Sequence, residues 1–226
     1  MAENKDEKNI DISETFSKTE QYIEDNRRKL SMIVGAIIVV IVGYLLYEKM
    51  YVGGKEKEAR AQMYVAEEYF RNDSLRLAIN GDGNYPGFNE IADDYGASPS
   101  GNLAKLYLGM SYLRTGKYDD AISALKSYSA KDQMTSSLSL AAIGDAYMEL
   151  NNLDDAISYY KKASHKDENN FTTPLILMKL GGAYETKGDF DDAVETYERM
   201  KKDFSASNLA LEADKYIGRT RAKVKN

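Results

Sequence analysis

The sequence predicts an all-α chain: one N-terminal transmembrane helix, then an α-α superhelix of stacked hairpins. Three observations predict it. Leu30 to Tyr47 is an uncharged run of eighteen residues, LSMIVGAIIVVIVGYLLY. Three later segments align with one another: LGMSYLRTGKYDDAI from Leu108, IGDAYMELNNLDDAI from Ile143 and LGGAYETKGDFDDAV from Leu180. In each of the three, twelve residues separate a glycine from an alanine.

The apolar run comes first. As a helix it spans about 27 Å, close to the roughly 30 Å of a bilayer core. Arg27, Arg28 and Lys29 flank one end, Glu48 and Lys49 the other, and Tyr44, Tyr47 and Tyr51 stand where an interfacial aromatic belt falls. A buried core helix is the first alternative, but no other segment is uniformly apolar. A cleaved signal peptide is the second; the long, acid-rich leader and the tyrosines at the far end argue against it. The run therefore reads as an uncleaved signal-anchor over residues 30–50. Fifteen residues to either side carry four basic residues each, so only the proximity of the Arg-Arg-Lys cluster favours a cytoplasmic N-terminus. Residues 1–29 form a polar tail, expected to be disordered or weakly helical. Ser31 and Gly35 make a single small-xxx-small pair, which chance explains.

Composition excludes several chemistries. The chain of 226 residues has net charge −6, with 24 basic and 28 acidic residues from Glu48 onward. That mixed surface is not a nucleic-acid footprint. At the C-terminus, Lys215, Arg219, Arg221, Lys223 and Lys225 follow Asp214 with no acid between them. A solvated helix end suits them, since cations complement the dipole there; an anionic membrane or RNA contact is the alternative. There is no cysteine, hence no disulfide, thiol nucleophile or lipidated cysteine, and the one histidine, His165, sits in a polar run. No glycine-rich phosphate loop is present. The Asp119-Asp120, Asp154-Asp155 and Asp191-Asp192 pairs recur at structural positions, whereas an acid–base site would occur once. No enzyme activity, cofactor or metal is expected.

Each aligned segment reads as helix, turn, helix. Gly109, Gly144 and Gly181 let the first helix approach its partner closely, and Tyr112, Tyr147 and Tyr184 lie three residues on, on the same face. Ala121, Ala156 and Ala193 mark the other side of the crossing. The turns fall at Thr115-Gly116-Lys117, Asn151-Asn152 and Lys187-Gly188-Asp189, and the aspartate pairs open each second helix. One hairpin cannot bury its apolar face alone, so such units stack.

These residues resemble the tetratricopeptide repeat family over residues 102–206. Leu108-Gly109-Tyr112, Ile143-Gly144-Tyr147 and Leu180-Gly181-Tyr184 match its first-helix signature. Ala121, Ala156 with Tyr160 and Ala163, and Ala193 with Tyr197 match its second. The family tryptophan and the closing proline are missing, and bulky Tyr128 and Met200 stand where the family has small residues. Some members hold a chaperone's C-terminal carboxylate with lysine, asparagine and arginine; Leu106, Met110 and Ala141 occupy the candidate positions here, so no such site is expected.

Residues 55–101 read as a degenerate capping unit: one helix over 55–79 with Ala59, Met63, Ala66, Tyr69 and Phe70 as its apolar stripe, a break at Asn80–Gly87, and a short helix from Phe88 to Tyr95. A calcium loop at Asp82 would need later spaced carboxylates, which are absent. Residues 207–226 read as a capping helix and basic tail, with Leu209, Ala213 and Ile217 turned inward and Leu211 nearby.

By the period of the repeat, the groove-facing residues are Leu103, Leu106, Met110, Leu113 and Arg114 in unit one. Unit two supplies Leu138, Ala141, Asp145, Met148 and Glu149, and unit three Leu175, Met178, Gly182, Glu185 and Thr186. An apolar wall edged by charge takes a helix or an extended segment of a protein partner. Leu103, Leu106, Leu138 and Met178 serve equally well as core between repeats.

The layout of tail, anchor, degenerate helices and repeats is similar to a bacterial inner-membrane family of ancillary Sec-translocon subunits. That resemblance implies a periplasmic domain near the translocon exit that binds translocon subunits and exported chains. A self-associating envelope scaffold and a cytoplasm-facing adaptor are the rival expectations.

Overall fold

Eighteen uncharged residues without a helix breaker extend readily into one long helix. In the computed structural model, which describes residues 20–224, α1 runs Arg27–Leu46 and continues into a π-helical turn, Tyr47–Val52. The segment 20–25 is also helical; the tail expectation for residues 1–19, and Lys225, lie outside the described residues. α1 is long and apolar enough to cross a membrane, and none of its side chains is buried. In the π-helical turn the rings of Tyr47 and Tyr51 stack at 5.3 Å.

The chain divides into two compact units, with the second starting at Lys55. Every described element of the second unit is helical. Its order is α2 (Gly53–Arg71), α3 (Leu75–Asn80), α4 (Phe88–Tyr95), α5 (Pro99–Arg114), α6 (Tyr118–Ser127), α7 (Gln133–Glu149), α8 (Leu153–Ser164), α9 (Thr172–Lys187), α10 (Phe190–Asp203), α11 (Asn208–Leu211) and α12 (Ala213–Val224).

Three hairpins, α5–α6, α7–α8 and α9–α10, correspond to the three aligned segments. Their first helices start on side-chain caps where one is available: Ser98 accepts the Gly101 amide at 3.1 Å and Asp132 that of Thr135 at 2.8 Å. Each hairpin turn uses one left-handed residue, Gly116, Asn151 or Gly188. The amide that follows it bonds back to the carbonyl of the signature tyrosine, Tyr112, Tyr147 or Tyr184, at 2.9 Å in all three.

Within each hairpin the helices cross at glycine. A Cβ on Gly109 would stand 2.5 Å from the Leu125 side chain, one on Gly144 2.7 Å from the Tyr160 ring, and one on Gly181 2.4 Å from the Tyr197 ring. Those contacts admit hydrogen alone. Ala121, Ala156 and Ala193 are fully buried beside them.

The signature tyrosines face cations rather than an all-apolar interior. Lys117 lies over Tyr112, Lys126 over Tyr147 and Lys161 over Tyr184, with charge-to-centroid distances of 5.5, 5.4 and 5.3 Å.

Both flanks differ from the sequence expectation. The helix expected over 55–79 is interrupted: α2 ends at Arg71, Asp73 takes a left-handed conformation (φ 59°), and the Ser74 amide bonds to Tyr69 O at 2.8 Å before α3 begins. Asn72, Asp73 and Ser74 are residues that trade helical bonds for local ones. α3 buries Ala78 and Ile79 against Phe88 and Ile91 of α4. α2 is held on the N-terminus of α5, where Glu56 accepts the Ser100 amide at 2.7 Å and its hydroxyl at 2.9 Å. Burial raises the pKa of Glu56, but those bonds outweigh it and lower it on balance. In the Asn80–Gly87 break, Asp82 turns its carboxylate onto the amides of Asn84 and Tyr85, both at 2.8 Å, and onto the Tyr69 hydroxyl.

At the other end, the single helix expected from 207 splits at Glu212 into α11 and α12, and Leu211 is exposed rather than covering. α12 repeats the register of the first helices: Ile217-Gly218 falls in line with Leu108-Gly109, Ile143-Gly144 and Leu180-Gly181. Two residues past the glycine, Ser111, Ala146, Ala183 and Thr220 are all fully buried. α12 packs on α10 as the next first helix would, but no side chain comes within 4 Å of a Cβ at Gly218.

This contrast makes a paired prediction. Gly181→Ala forces the Tyr197 ring aside and costs about 2 kcal/mol. Gly218→Ala, in open helix, stabilises by about 0.5–1 kcal/mol through reduced unfolded-state entropy. Thermal unfolding of both variants followed by circular dichroism checks the sign and the order.

Candidate functional site

The first helices α5, α7 and α9 lie side by side, so residues at one register position form a row across the repeats. Four residues past the glycine the row is Leu113, Met148 and Glu185; five past, it is Arg114, Glu149 and Thr186. A groove of about 590 Å³ opens here. It is lined by Leu113, Arg114, Asp145, Met148, Glu149, Gly182 and Thr186, all among the sequence candidates, together with Tyr118, Tyr160, Lys179 and Ala183. A further depression of about 650 Å³ lies beside Arg114, walled by Asp73–Leu77 and Thr115.

The remaining candidates divide between seam and surface. Ala141 is buried between repeats. Leu103, Leu106, Met110 and Met178 are half-buried against the core clusters. Leu138 is exposed. Toward the N-terminal ends of the first helices the wall is apolar: Met134 is 47% exposed and Leu138 41%, while Phe171, aligned with Met134 in the next repeat, is 83% exposed. Phe171 escaped sequence reasoning because it lies in the loop where the period stretches. Its backbone is pinned there, since Asn169 Oδ1 accepts the amides of Phe171 and Thr172, both at 2.8 Å.

The charges in this wall are mostly committed. Asp145 receives Lys179 Nζ at 2.6 and 2.7 Å and the Tyr160 hydroxyl at 2.7 Å. Burial, and then the Asp145 charge, push the Tyr160 phenol above its ordinary pKa. Lys179 lay outside the sequence candidates because its register partners, Tyr107 and Ala142, are uncharged. Arg114 pairs with Asp73 at 2.6 Å and lies over the Phe70 ring at 5.1 Å. Glu149 accepts only the Tyr118 hydroxyl, at 3.2 Å, and takes part in no ion pair among the described residues.

Glu185 faces α12 instead of the open groove. It accepts Arg219 Nη2 at 2.6 Å, Lys223 Nζ at 2.9 Å and the Tyr197 hydroxyl at 2.9 Å, and its side chain is 8% exposed. Arg221 pairs with Glu198. These three C-terminal cations remain exposed, as the solvated end expected from sequence requires, and they also make inter-helix ion pairs. Burial would raise the pKa of Glu185, but the donors from Lys223, Arg219 and Tyr197 hold it at about 2.

The arrangement matches a known family. A model of the tetratricopeptide repeat covers residues 88–133 and 141–208, just over half of the chain. The chain belongs to the tetratricopeptide repeat family. No curated protein matches it. Among solved structures, the nearly identical TPR-like repeats of a kinesin light chain candidate from Podospora anserina superpose with a TM-score of 0.60 at 15% identity, over 74% of this chain and 87% of that one. A second structure of those repeats gives 0.60 at 14% identity with the same coverage. The MamA protein gives 0.50 at 20% identity, over 74% of this chain and 92% of its own. At these identities the likeness is one of fold: a tetratricopeptide superhelix, whose repeats make a protein–protein interaction module.

Because the folded-state pKa of Glu185 is depressed, its stabilising contribution is complete above the ordinary carboxylate range and is lost as pH falls through about 2. Glu185→Gln is expected to cost about 2 kcal/mol near neutral pH. It should also flatten the loss of stability below about pH 4.5, the upper end of that window. Chemical denaturation across a pH series measures both effects.

Proposed function

We propose that this chain is a membrane-anchored protein-binding module, not an enzyme, whose repeat domain faces the periplasm of a bacterial inner membrane and assists protein export or chaperone hand-off near the Sec translocon. The observation that carries the binding reading is the wall of first helices. It presents Met134, Leu138 and Phe171 to solvent and opens into the groove at Leu113 and Met148. Exposed apolar side chains on a rigid repeat surface are poorly placed in water and favour a partner segment. Most of its charged groups are engaged with one another, Asp145 with Lys179 and Arg114 with Asp73.

The anchor rests on α1. From Leu30 onward α1 is apolar on every side and has no buried residue in its own unit, which suits hydrocarbon, where its backbone bonds are satisfied internally. Orientation and the translocon assignment rest on the Arg27-Arg28-Lys29 cluster and on the layout of the chain.

Reporters fused after residue 226 distinguish the sides of the membrane: activity of a periplasm-dependent reporter supports the proposal, and activity of a cytoplasm-dependent one overturns the topology. Crosslinking in whole cells then tests the partner, with translocon subunits and nascent exported chains expected, and pairs between copies of this chain alone counting against the export role. Leu113→Glu combined with Met148→Glu, both on the groove lining, should weaken partner affinity about tenfold, or 1.4 kcal/mol. Helicity should be preserved, and unchanged affinity would remove these residues from the binding face.

A further inference from the structure

The charges around the groove are unequal in their availability. Asp145 is neutralised by Lys179 from the next repeat, Glu185 by Arg219 and Lys223, and Arg114 by Asp73. Glu149 is the lining carboxylate for which no cation is in place among the described residues. It is exposed, in the last turn of α7, one residue past Met148, where the helix dipole adds further negative potential. Leu138 and Met134 stand toward the other end of the same helix. From Leu138 to Glu149 is about 17 Å at the rise of an α-helix. One wall therefore runs from exposed apolar residues, past the neutralised Asp145–Lys179 pair and Met148, to a carboxylate with no cation in place among the described residues.

Resting on the protein-binding reading above, we infer that the groove selects a partner segment that is apolar along its length and carries a lysine or arginine opposite Glu149. A basic residue there completes the ion pair that the chain leaves open. An acidic residue meets Glu149 and the C-terminal dipole of α7 with like charge, so the site discriminates by repulsion as well as by attraction. Tyr118, whose hydroxyl donates to Glu149, keeps that carboxylate turned toward the groove.

The test uses the full-length chain in detergent and two fluorescein-labelled amphipathic peptides of about twelve residues, long enough to cover that wall as a helix. One has leucine on one face and lysine on the other; its counterpart has glutamate for each lysine. Fluorescence anisotropy should show the lysine peptide binding more tightly. Glu149→Gln should reduce that affinity about three-fold, as for a single exposed ion pair, with the loss shrinking as salt rises. Glu195→Gln, an equal charge change at an exposed site on α10, should leave it unaltered, and Met148→Glu should weaken both peptides. Equal losses in the Glu149 and Glu195 variants mean attraction to net charge alone and overturn the inference. So does equal binding of the two peptides without an effect of Glu149→Gln, although a Met148→Glu effect would then leave the groove standing. If neither peptide binds, or binding ignores Met148→Glu, the groove reading itself falls, and the charge selection with it.

Discussion

The contact on which the rest depends is the crossing of two helices at a glycine inside each hairpin. Gly109, Gly144 and Gly181 each sit against a large side chain at a distance that excludes a methyl group. Close approach at that point limits the interaxial spacing of each hairpin, and the recurrence of the same crossing in three units favours stacking in register. The choice of large partner then divides the repeats. Tyr160 and Tyr197 carry a hydroxyl past the glycine to a carboxylate on the first helix, Asp145 or Glu185. Each carboxylate is also bound by a cation from the next first helix, Lys179 of α9 or Arg219 and Lys223 of α12. In unit one Leu125 has no such group, and Met110 stands where unit two has Asp145, and Leu113 where unit three has Glu185. Packing within a hairpin and pairing between hairpins are thus joined through one side chain.

That coupling shapes the binding wall. Two of its seams are closed by ion pairs with short, partly shielded bonds, while the seam between α5 and α7 is left to methionine and leucine. The result is a graded surface: exposed apolar residues toward the helix N-termini, a neutralised pair at Asp145, and one unneutralised carboxylate at Glu149. Under the proposed reading, a surface of this kind would hold a segment by apolar contact and read its charge at one end.

The ends of the array solve the problem that stacking creates, because a terminal hairpin has no neighbour. α2 to α4 cover the first repeat with Phe88, Ile91 and Met63, and Glu56 fixes α2 by satisfying amide and hydroxyl donors at the start of α5. α12 covers the last. It carries the same Ile-Gly register as the other first helices, turns Ala213, Ile217 and Thr220 inward, and sets Lys215, Arg219, Arg221 and Lys223 along its outer parts.

The sequence by itself determined the helical class, the number of hairpins and their turns, because spacing is a local property: glycine, tyrosine and alanine recur at fixed intervals, and helix geometry converts intervals into faces. It also placed Leu113, Arg114, Asp145, Met148 and Glu149 on one wall, since residues at one register share one row. Tertiary structure alone decided which of them remain available. Lys179 and Arg219 reach their carboxylates from more than thirty residues away, so the neutralisation of Asp145 and Glu185 leaves no local trace. The break at Asn72–Ser74 and the exposure of Phe171 were hidden for other reasons. The break rests on local bonds of Asn72, Asp73 and Ser74 that compete with a helix on nearly equal terms, and Phe171 lies in the loop where the repeat period stretches, so spacing assigns neither.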